Sequence, residues 1–181
     1  MRRDWLVRMK PDCGCVLPWR PAVDGQPLDL TAPAILAVTD FKYEQPQTVD
    51  EDRPIDAALK DMIRLGVRAL IVLKERRTVG LITSYDIQGE RPMQVLLSAN
   101  YSRHGDIRVG DVMTPWVELV ALDWGRLIGG SIGDVLTLLK DTELTHVLVL
   151  DADEDGSHSV LRGIISRTRI ERRLGALRHA S

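Results

Sequence analysis

Two short segments of the chain combine an aliphatic strand end with side chains able to hold a small anion or a diol. The first is Gly80-Leu81-Ile82-Thr83-Ser84-Tyr85-Asp86 and the second is Gly163-Ile164-Ile165-Ser166-Arg167-Thr168-Arg169. Where a strand passes into a helix, the first backbone N–H groups have no intrahelical partner, so they can receive an anion or be capped by a short hydroxyl side chain. A carboxylate three residues further on can accept two hydrogen bonds from a vicinal diol such as ribose. Thr83 and Asp86 therefore carry the chemistry of a small nucleotide grip. The same spacing is also a capping box, in which hydroxyl and acid satisfy backbone donors without any ligand. The second segment has Arg169 where the first has Asp86, and a guanidinium, which only donates, cannot hold a diol.

Other reactive groups fall into no working arrangement. The two cysteines, Cys13 and Cys15, flank Gly14 in a stretch rich in proline and glycine, too close together for a low-strain disulfide. They could supply two metal ligands, but His104, His146, His158 and His179 are scattered and show no ligand spacing. Two free thiols are expected, with no metal site. No histidine sits in a nucleophile context and no Walker-type phosphate loop is present, so no catalytic residues are assigned and a non-enzyme is expected.

The 181 residues, 44% of them hydrophobic, suffice for one compact domain or two small ones. With Lys+Arg 24 against Asp+Glu 26, the net charge of −2 gives no global attraction to nucleic acid or to an anionic membrane. There is no apolar run of transmembrane length, and no apolar h-region follows Met1-Arg2-Arg3-Asp4-Trp5-Leu6. A cytoplasmic protein is expected.

The elements that must position the two segments can be read from periodicity. Residues 1–30 hold Pro11, Pro18, Pro21 and Pro27 with Gly14 and Gly25, which predicts an extension with few regular elements, anchored at most by Trp5 or Trp19. A short helix or strand is expected around Ala34 to Val38, then a strand ending near Val49. Ile55, Ala58, Leu59, Met62 and Ile63 form one helical stripe, entered through Pro54 and left through Gly66. Residues 68–73 and 78–82 read as two strands joined by a charged turn, and 92–99 as a helix with Met93, Leu96 and Leu97 on its apolar side. A polar linker over 100–106 follows.

The order then starts again. Val109-Gly110-Asp111-Val112-Met113-Thr114-Pro115 opens the second half, 117–122 reads as a strand, and Asp123 to Gly130 as a connection. Ser131 caps a helix striped by Ile132, Val135, Leu136 and Leu139; strands at 146–150 and 160–165 flank an acidic hairpin tip; Ile170, Leu174 and Leu177 mark a last helix. Ile55 with Ile132, Leu59 with Leu136 and Leu73 with Leu150 share one offset. Gly80 with Gly163 and Thr83 with Ser166 share a slightly larger one, the difference being a longer hairpin tip. A repeated order of elements means that each unit leaves a face its twin can cover.

With both copies in view, the chain resembles the tandem cystathionine-β-synthase (CBS) domain pair, or Bateman module, over about Thr31 to Leu177. The resemblance rests on Val109-x-Asp111-Val112-Met113-Thr114-Pro115, on the helix and hairpin order, and on the Gly-aliphatic-aliphatic-Thr/Ser-x-x-Asp ending. It implies an α+β fold of two strand-helix-strand-strand-helix repeats packed about a pseudo-twofold axis. The domains would be an extension at 1–30, repeat 1 at 31–100, and repeat 2 at 101–181 with the C-terminal helix. It further implies a regulatory module that takes an adenosyl nucleotide (AMP, ADP, ATP or S-adenosylmethionine), requires no cofactor, forms a homodimer and signals to an unidentified protein partner. Thr83 would meet phosphate or cap its site, and Asp86 would hold the ribose. Adenine would lie against Val112, Met113 and Pro115 of the opposite repeat, with Thr145 or His146 at the rim. Arg167 and Arg169 could reach a phosphate in that cleft, while the second cleft lacks its ribose grip. The alternative is a ligand-free structural or dimerisation protein that keeps the fold without the site.

Overall fold

The structure, a computed structural model, describes residues 6–8, 29–98, 101, 103–153 and 159–178. Cys13, Cys15, Trp5 and Trp19 lie outside the described residues, as do His158 and His179. In chain order the first elements are β1 (Leu6–Arg8), β2 (Val38–Asp40), β3 (Thr48–Asp50), α1 (Ile55–Leu65), β4 (Ala69–Lys74) and β5 (Arg77–Thr83). They are followed by α2 (Ser84–Gln88), α3 (Arg91–Ser98), α4 (Val109–Val112), β6 (Thr114–Pro115) and β7 (Val120–Asp123). The last are α5 (Trp124–Ile128), α6 (Ile132–Asp141), β8 (His146–Ala152), β9 (Ser159–Ser166) and α7 (Arg167–Arg178). Among the described residues these form two compact units, one spanning Pro46–Leu119 and the other combining 6–8 and 29–45 with the chain from Val120 onward.

The unit of Pro46–Leu119 has a four-stranded sheet in the order β3-β4-β5-β6, with β3 parallel to β4 and the other pairs antiparallel. Helix α1 forms on its stripe: Ile55, Ala58 and Met62 are buried, and Gly66 ends it at φ 68, a left-handed position that costs glycine no Cβ clash. Glu75 and Arg76, both at positive φ, make the two-residue turn between β4 and β5, whose twist matches that of the flanking strands. The segment before the second copy closes this unit. Val109 N–H donates to Arg53 O (2.9 Å), Gly110 N–H to Glu51 O (2.9 Å) and Ile55 N–H to Ile107 O (3.1 Å). Ile107, Val109 and Val112 are thereby buried in the core beside Val49, Leu70 and Ile82. Burial of side chains of this size stabilises by about 1.5–3 kcal/mol each. Strand β6 then pairs with β5, Gly80 facing Pro115 and Leu81 facing Thr114.

The second unit is built on the same plan. Its sheet runs β1-β7-β8-β9-β2, with β7 parallel to β8. The segment before the first copy closes it: Ala34 N–H donates to Gly130 O (2.9 Å), Ile132 N–H to Ala32 O (2.9 Å), and Ala34 and Ala37 join the core of Leu122, Ile132, Val135 and Leu139. Strand β2 pairs with β9, Thr39 facing Ile164 and Asp40 facing Gly163. Both motif glycines exist because a strand lies too close for a side chain. A Cβ on Gly80 would stand 2.6 Å from Thr114 O, and one on Gly163 would stand 2.5 Å from Thr39 O.

Several expectations need correction. The compact units do not divide near residue 100, because each lead-in segment packs on the copy that it does not precede. The amino-terminal stretch, read as having few regular elements, contributes the short strand β1, which pairs antiparallel with β7, Leu6 facing Leu122. Residues Asp123 to Gly130 hold α5, capped by Asp123 Oδ1 accepting from Arg126 N–H (2.9 Å), with Leu127 buried; Gly125, Gly129 and Gly130 masked this helix in the sequence. On α3 the covered side is Pro92, Val95 and Leu96, while Met93 and Leu97 face solvent. Residues Trp116–Glu118 form a 3-10 turn, so the expected strand starts only at Val120.

Candidate functional site

Thr83 ends β5 in extended backbone and is the N-cap of α2. Asp86 Oδ2 accepts from both Thr83 N–H (2.7 Å) and Thr83 Oγ1–H (2.7 Å), and Thr83 Oγ1 in turn accepts from Asp86 N–H (3.3 Å). This is a complete capping box, one of the two arrangements the spacing allows. The other carboxylate oxygen, Oδ1, faces Arg91 Nη1 at 3.1 Å; the Asp86 side chain is 14% exposed and that of Arg91 45%. The same Nη1 donates to Val112 O (2.9 Å) and Thr114 Oγ1 (3.2 Å). Arg91 thus ties the Thr83–Asp86 turn to the segment Val112 to Pro115.

Val112 is buried in the core, and Met113, Thr114 and Pro115 are half-buried, Met113 lying over Gly80. All four belong to the unit that carries Thr83 and Asp86, not to an opposite repeat. The cause is β6, which completes the edge of β5. Asp111, from the same motif, caps α4 by accepting from Arg108 N–H (2.7 Å). Its hydrogen bond with Tyr101, together with burial, raises the pKa of that phenol.

In the other unit Ser166 and Arg167 stand where Thr83 and Ser84 stand in the first. Thr145 and His146 lie beside them: Arg167 N–H donates to Thr145 O (2.9 Å), His146 pairs with Ser166 across the sheet, and Thr145 Oγ1 lies 3.0 Å from His146 Nδ1. Arg167 faces Glu171 at 3.8 Å. Arg169 donates from Nη1 to Thr39 Oγ1 and from Nη2 to Glu44 Oε1 (3.4 Å). Thr39 occupies on β2 the register position that Thr114 occupies on β6, so in each unit an arginine holds the threonine of the lead-in strand. In the first unit that arginine is Arg91, ion-paired to the acid of the turn; in the second it is the turn residue itself.

The second unit also buries Arg162, whose guanidinium lies 4.0 Å over the Trp124 ring centre. Its Nε and Nη2 donate to Asp40 (2.9 and 3.0 Å) and its Nη1 to Asp151 (2.9 Å). Burial alone would lower the guanidinium pKa, and the two carboxylates more than offset it. Sequence reasoning missed Arg91, Thr114, Thr39, Glu44 and Asp40. The available signal was Thr39 and Thr114, which precede the first stripe residues of their copies, Ile55 and Ile132, at nearly the same spacing.

Two α+β units of repeated plan, each with a hydroxyl residue at the end of its hairpin and a lead-in strand beside it, define a tandem-repeat protein of one recurring module. The sequence model of the CBS domain matches residues 38–91, and the chain has the fold of CBS-domain-pair proteins. That match takes in β2, although β2 pairs with β9 rather than with its own copy. A putative signal-transduction protein with CBS domains from Burkholderia ambifaria MC40-6 is similar at 21% identity, over 81% of this chain and 94% of that one, with a TM-score of 0.56. A conserved protein from Pyrococcus horikoshii matches at 21% identity over 80% and 93%, with a TM-score of 0.54. The CBS domain pair of protein MJ0100, in complex with 5′-methylthioadenosine and S-adenosyl-L-methionine, matches at 19% identity over 82% and 99%, with a TM-score of 0.52. No curated protein matches the chain in sequence. Among the described residues no helix is long and apolar enough to cross a membrane.

Proposed function

We propose that this CBS-pair chain is a regulatory module rather than an enzyme, which binds an adenosyl nucleotide such as AMP, ADP, ATP or S-adenosylmethionine and signals occupancy to a protein partner. The observation that carries this reading is the Thr83–Asp86 turn with the apolar segment Val112 to Pro115 held against it by Arg91. Asp86 takes the ribose hydroxyls, Thr83 the start of the phosphate chain, and Met113 and Pro115 give adenine an apolar wall. The adenosyl ligands of the MJ0100 domain pair support the ligand class. Arg169 has no acceptor for a diol, so about one nucleotide per chain is expected.

Calorimetric titration with the four ligands tests it. Replacing Asp86 by Ala removes charge-assisted hydrogen bonds of roughly 1.5–3 kcal/mol, lowering affinity by an order of magnitude or more. Unchanged affinity in Asp86→Ala, or two equivalent sites, would leave the turn as a helix cap only. A second reading, a ligand-free structural protein, is favoured by one observation: both Asp86 oxygens already have partners in Thr83 and Arg91. Absence of binding by all four ligands would establish it over the first.

The reading includes a homodimer. The stripes of α1 and α6 are mostly consumed inside their own units, and Ile63 and Leu65 on α1 and Met93 and Leu97 on α3 are among the exposed apolar residues of the first unit, with Tyr85 and Val117. Sedimentation at micromolar concentration giving the 20.3 kDa mass of one chain would refute it.

A further inference from the structure

We propose that Arg91 is a specificity-determining residue: a displaceable cation through which the Thr83–Asp86 turn selects adenosyl ligands bearing a 5′-phosphate over neutral adenosine. This rests on the nucleotide reading above. A carboxylate offers about four acceptor positions, and a ribose diol needs two of them. Asp86 has committed Oδ2 to Thr83 N–H and Oγ1–H, and Oδ1 faces Arg91. Releasing the Thr83 bonds would uncap α2, so the exchangeable partner is Arg91, a long side chain that is nearly half exposed.

Displacement from Asp86 does not send Arg91 away. Its Nη1 keeps Val112 O and Thr114 Oγ1 as acceptors, so the guanidinium stays beside the turn. All of its contacts run through Nη1; among the described residues Nε and Nη2 have no partner, and that edge of the planar fork matches the bidentate geometry of a phosphate. Adenosine must therefore break the Asp86–Arg91 pair with nothing to replace it. A nucleoside monophosphate breaks the same pair and gives the cation a new anion.

The test is calorimetry with AMP and adenosine on the full chain, its Arg91→Met variant, and Arg91→Lys, which keeps the charge without the fork. The unmodified protein should prefer AMP by about tenfold or more, a preference that shrinks with added salt. In Arg91→Met the preference should fall to within about twofold while adenosine binds at least as tightly as before; Arg91→Lys should keep only part of it. An undiminished preference in both variants, with Asp86→Ala still weakening binding, overturns the role of Arg91 and leaves the site standing. No binding of either ligand, or affinities indifferent to Asp86→Ala, overturns the nucleotide reading and this inference with it.

Discussion

Among the described glycines, Gly163→Ala should be the most damaging single-methyl change, and Gly80→Ala a milder version of it. The added Cβ at 163 would meet Thr39 O at 2.5 Å and Val38 Cγ1 at 2.6 Å, where ordinary contacts begin near 3.4 Å. Strand β2 must therefore retreat by about 1 Å, and overpacking of this kind costs roughly 1–3 kcal/mol. Retreat is opposed on both sides of the contact. Val38, Thr39 and Asp40 are paired in register with β9, and Asp40 is gripped by the buried Arg162. The upper end of the range, about 3 kcal/mol, is expected there. At Gly80 the first contact is also backbone, Thr114 O at 2.6 Å, but the next is the flexible Met113 Sδ at 2.7 Å and β6 is only two residues long. About 1–2 kcal/mol is expected. Gly175→Ala, in α7 with nothing within 4 Å, is the control and should stabilise by about 0.5–1 kcal/mol. Urea unfolding followed by far-ultraviolet circular dichroism measures all three, with melting temperature shifting about 2–4 °C per kcal/mol for a chain of this size. Gly163→Ala tolerated within about 0.5 kcal/mol, or less damaging than Gly80→Ala, would refute the close-strand explanation of the motif glycine.

Three other outcomes are expected. Glu143 sits at φ 57 just after α6, where the first copy has Gly66, so Glu143→Gly should raise stability by about 1 kcal/mol in the same assay, despite the entropy of glycine. The hydrogen bonds from Ser131 hold the Asp134 pKa below 3.8 in the folded chain. A depressed pKa stabilises above the unfolded value and is lost as pH falls through the folded one, so the urea-midpoint gap between wild type and Asp134→Asn should narrow as pH drops below 3.8. A chain starting at Asp29 should fold but with a lower midpoint, because loss of β1 leaves the edge of β7 unpaired; midpoints equal to those of the full chain would mean that the β1–β7 pairing adds nothing.

The helices and hairpins of the two copies were legible because their burial is periodic: Ile55, Ala58 and Met62 on α1 and Ile132, Val135 and Leu139 on α6 are buried, although Ile63, read as part of the α1 stripe, faces solvent. The assignment of the lead-in strands was not. Ala34-Ile35-Leu36-Ala37-Val38-Thr39-Asp40 and Val109-Gly110-Asp111-Val112-Met113-Thr114-Pro115 play equivalent parts while sharing only aliphatic positions and a threonine. Which sheet a short strand joins is decided by tertiary pairing, which no local pattern encodes. Thr83 and Asp86 were visible as a pair; Arg91 was not, because its reach to Val112 O and Thr114 Oγ1 spans more than twenty positions of chain.

The exchange of lead-in strands sets an order of events during synthesis. The Pro46–Leu119 unit has every strand of its sheet once Pro115 has left the ribosome, so it can close early. Strand β2, made before all of that unit, has no partner until β9 exists; Asp40 waits across 122 residues for Arg162. At ordinary elongation rates that is roughly ten seconds, during which Val38 and Phe41 remain uncovered on the nascent chain. Such long-range pairing raises the contact order of the later unit and slows its closure relative to the earlier one. In refolding from denaturant, where the whole chain is present at once, the delay vanishes.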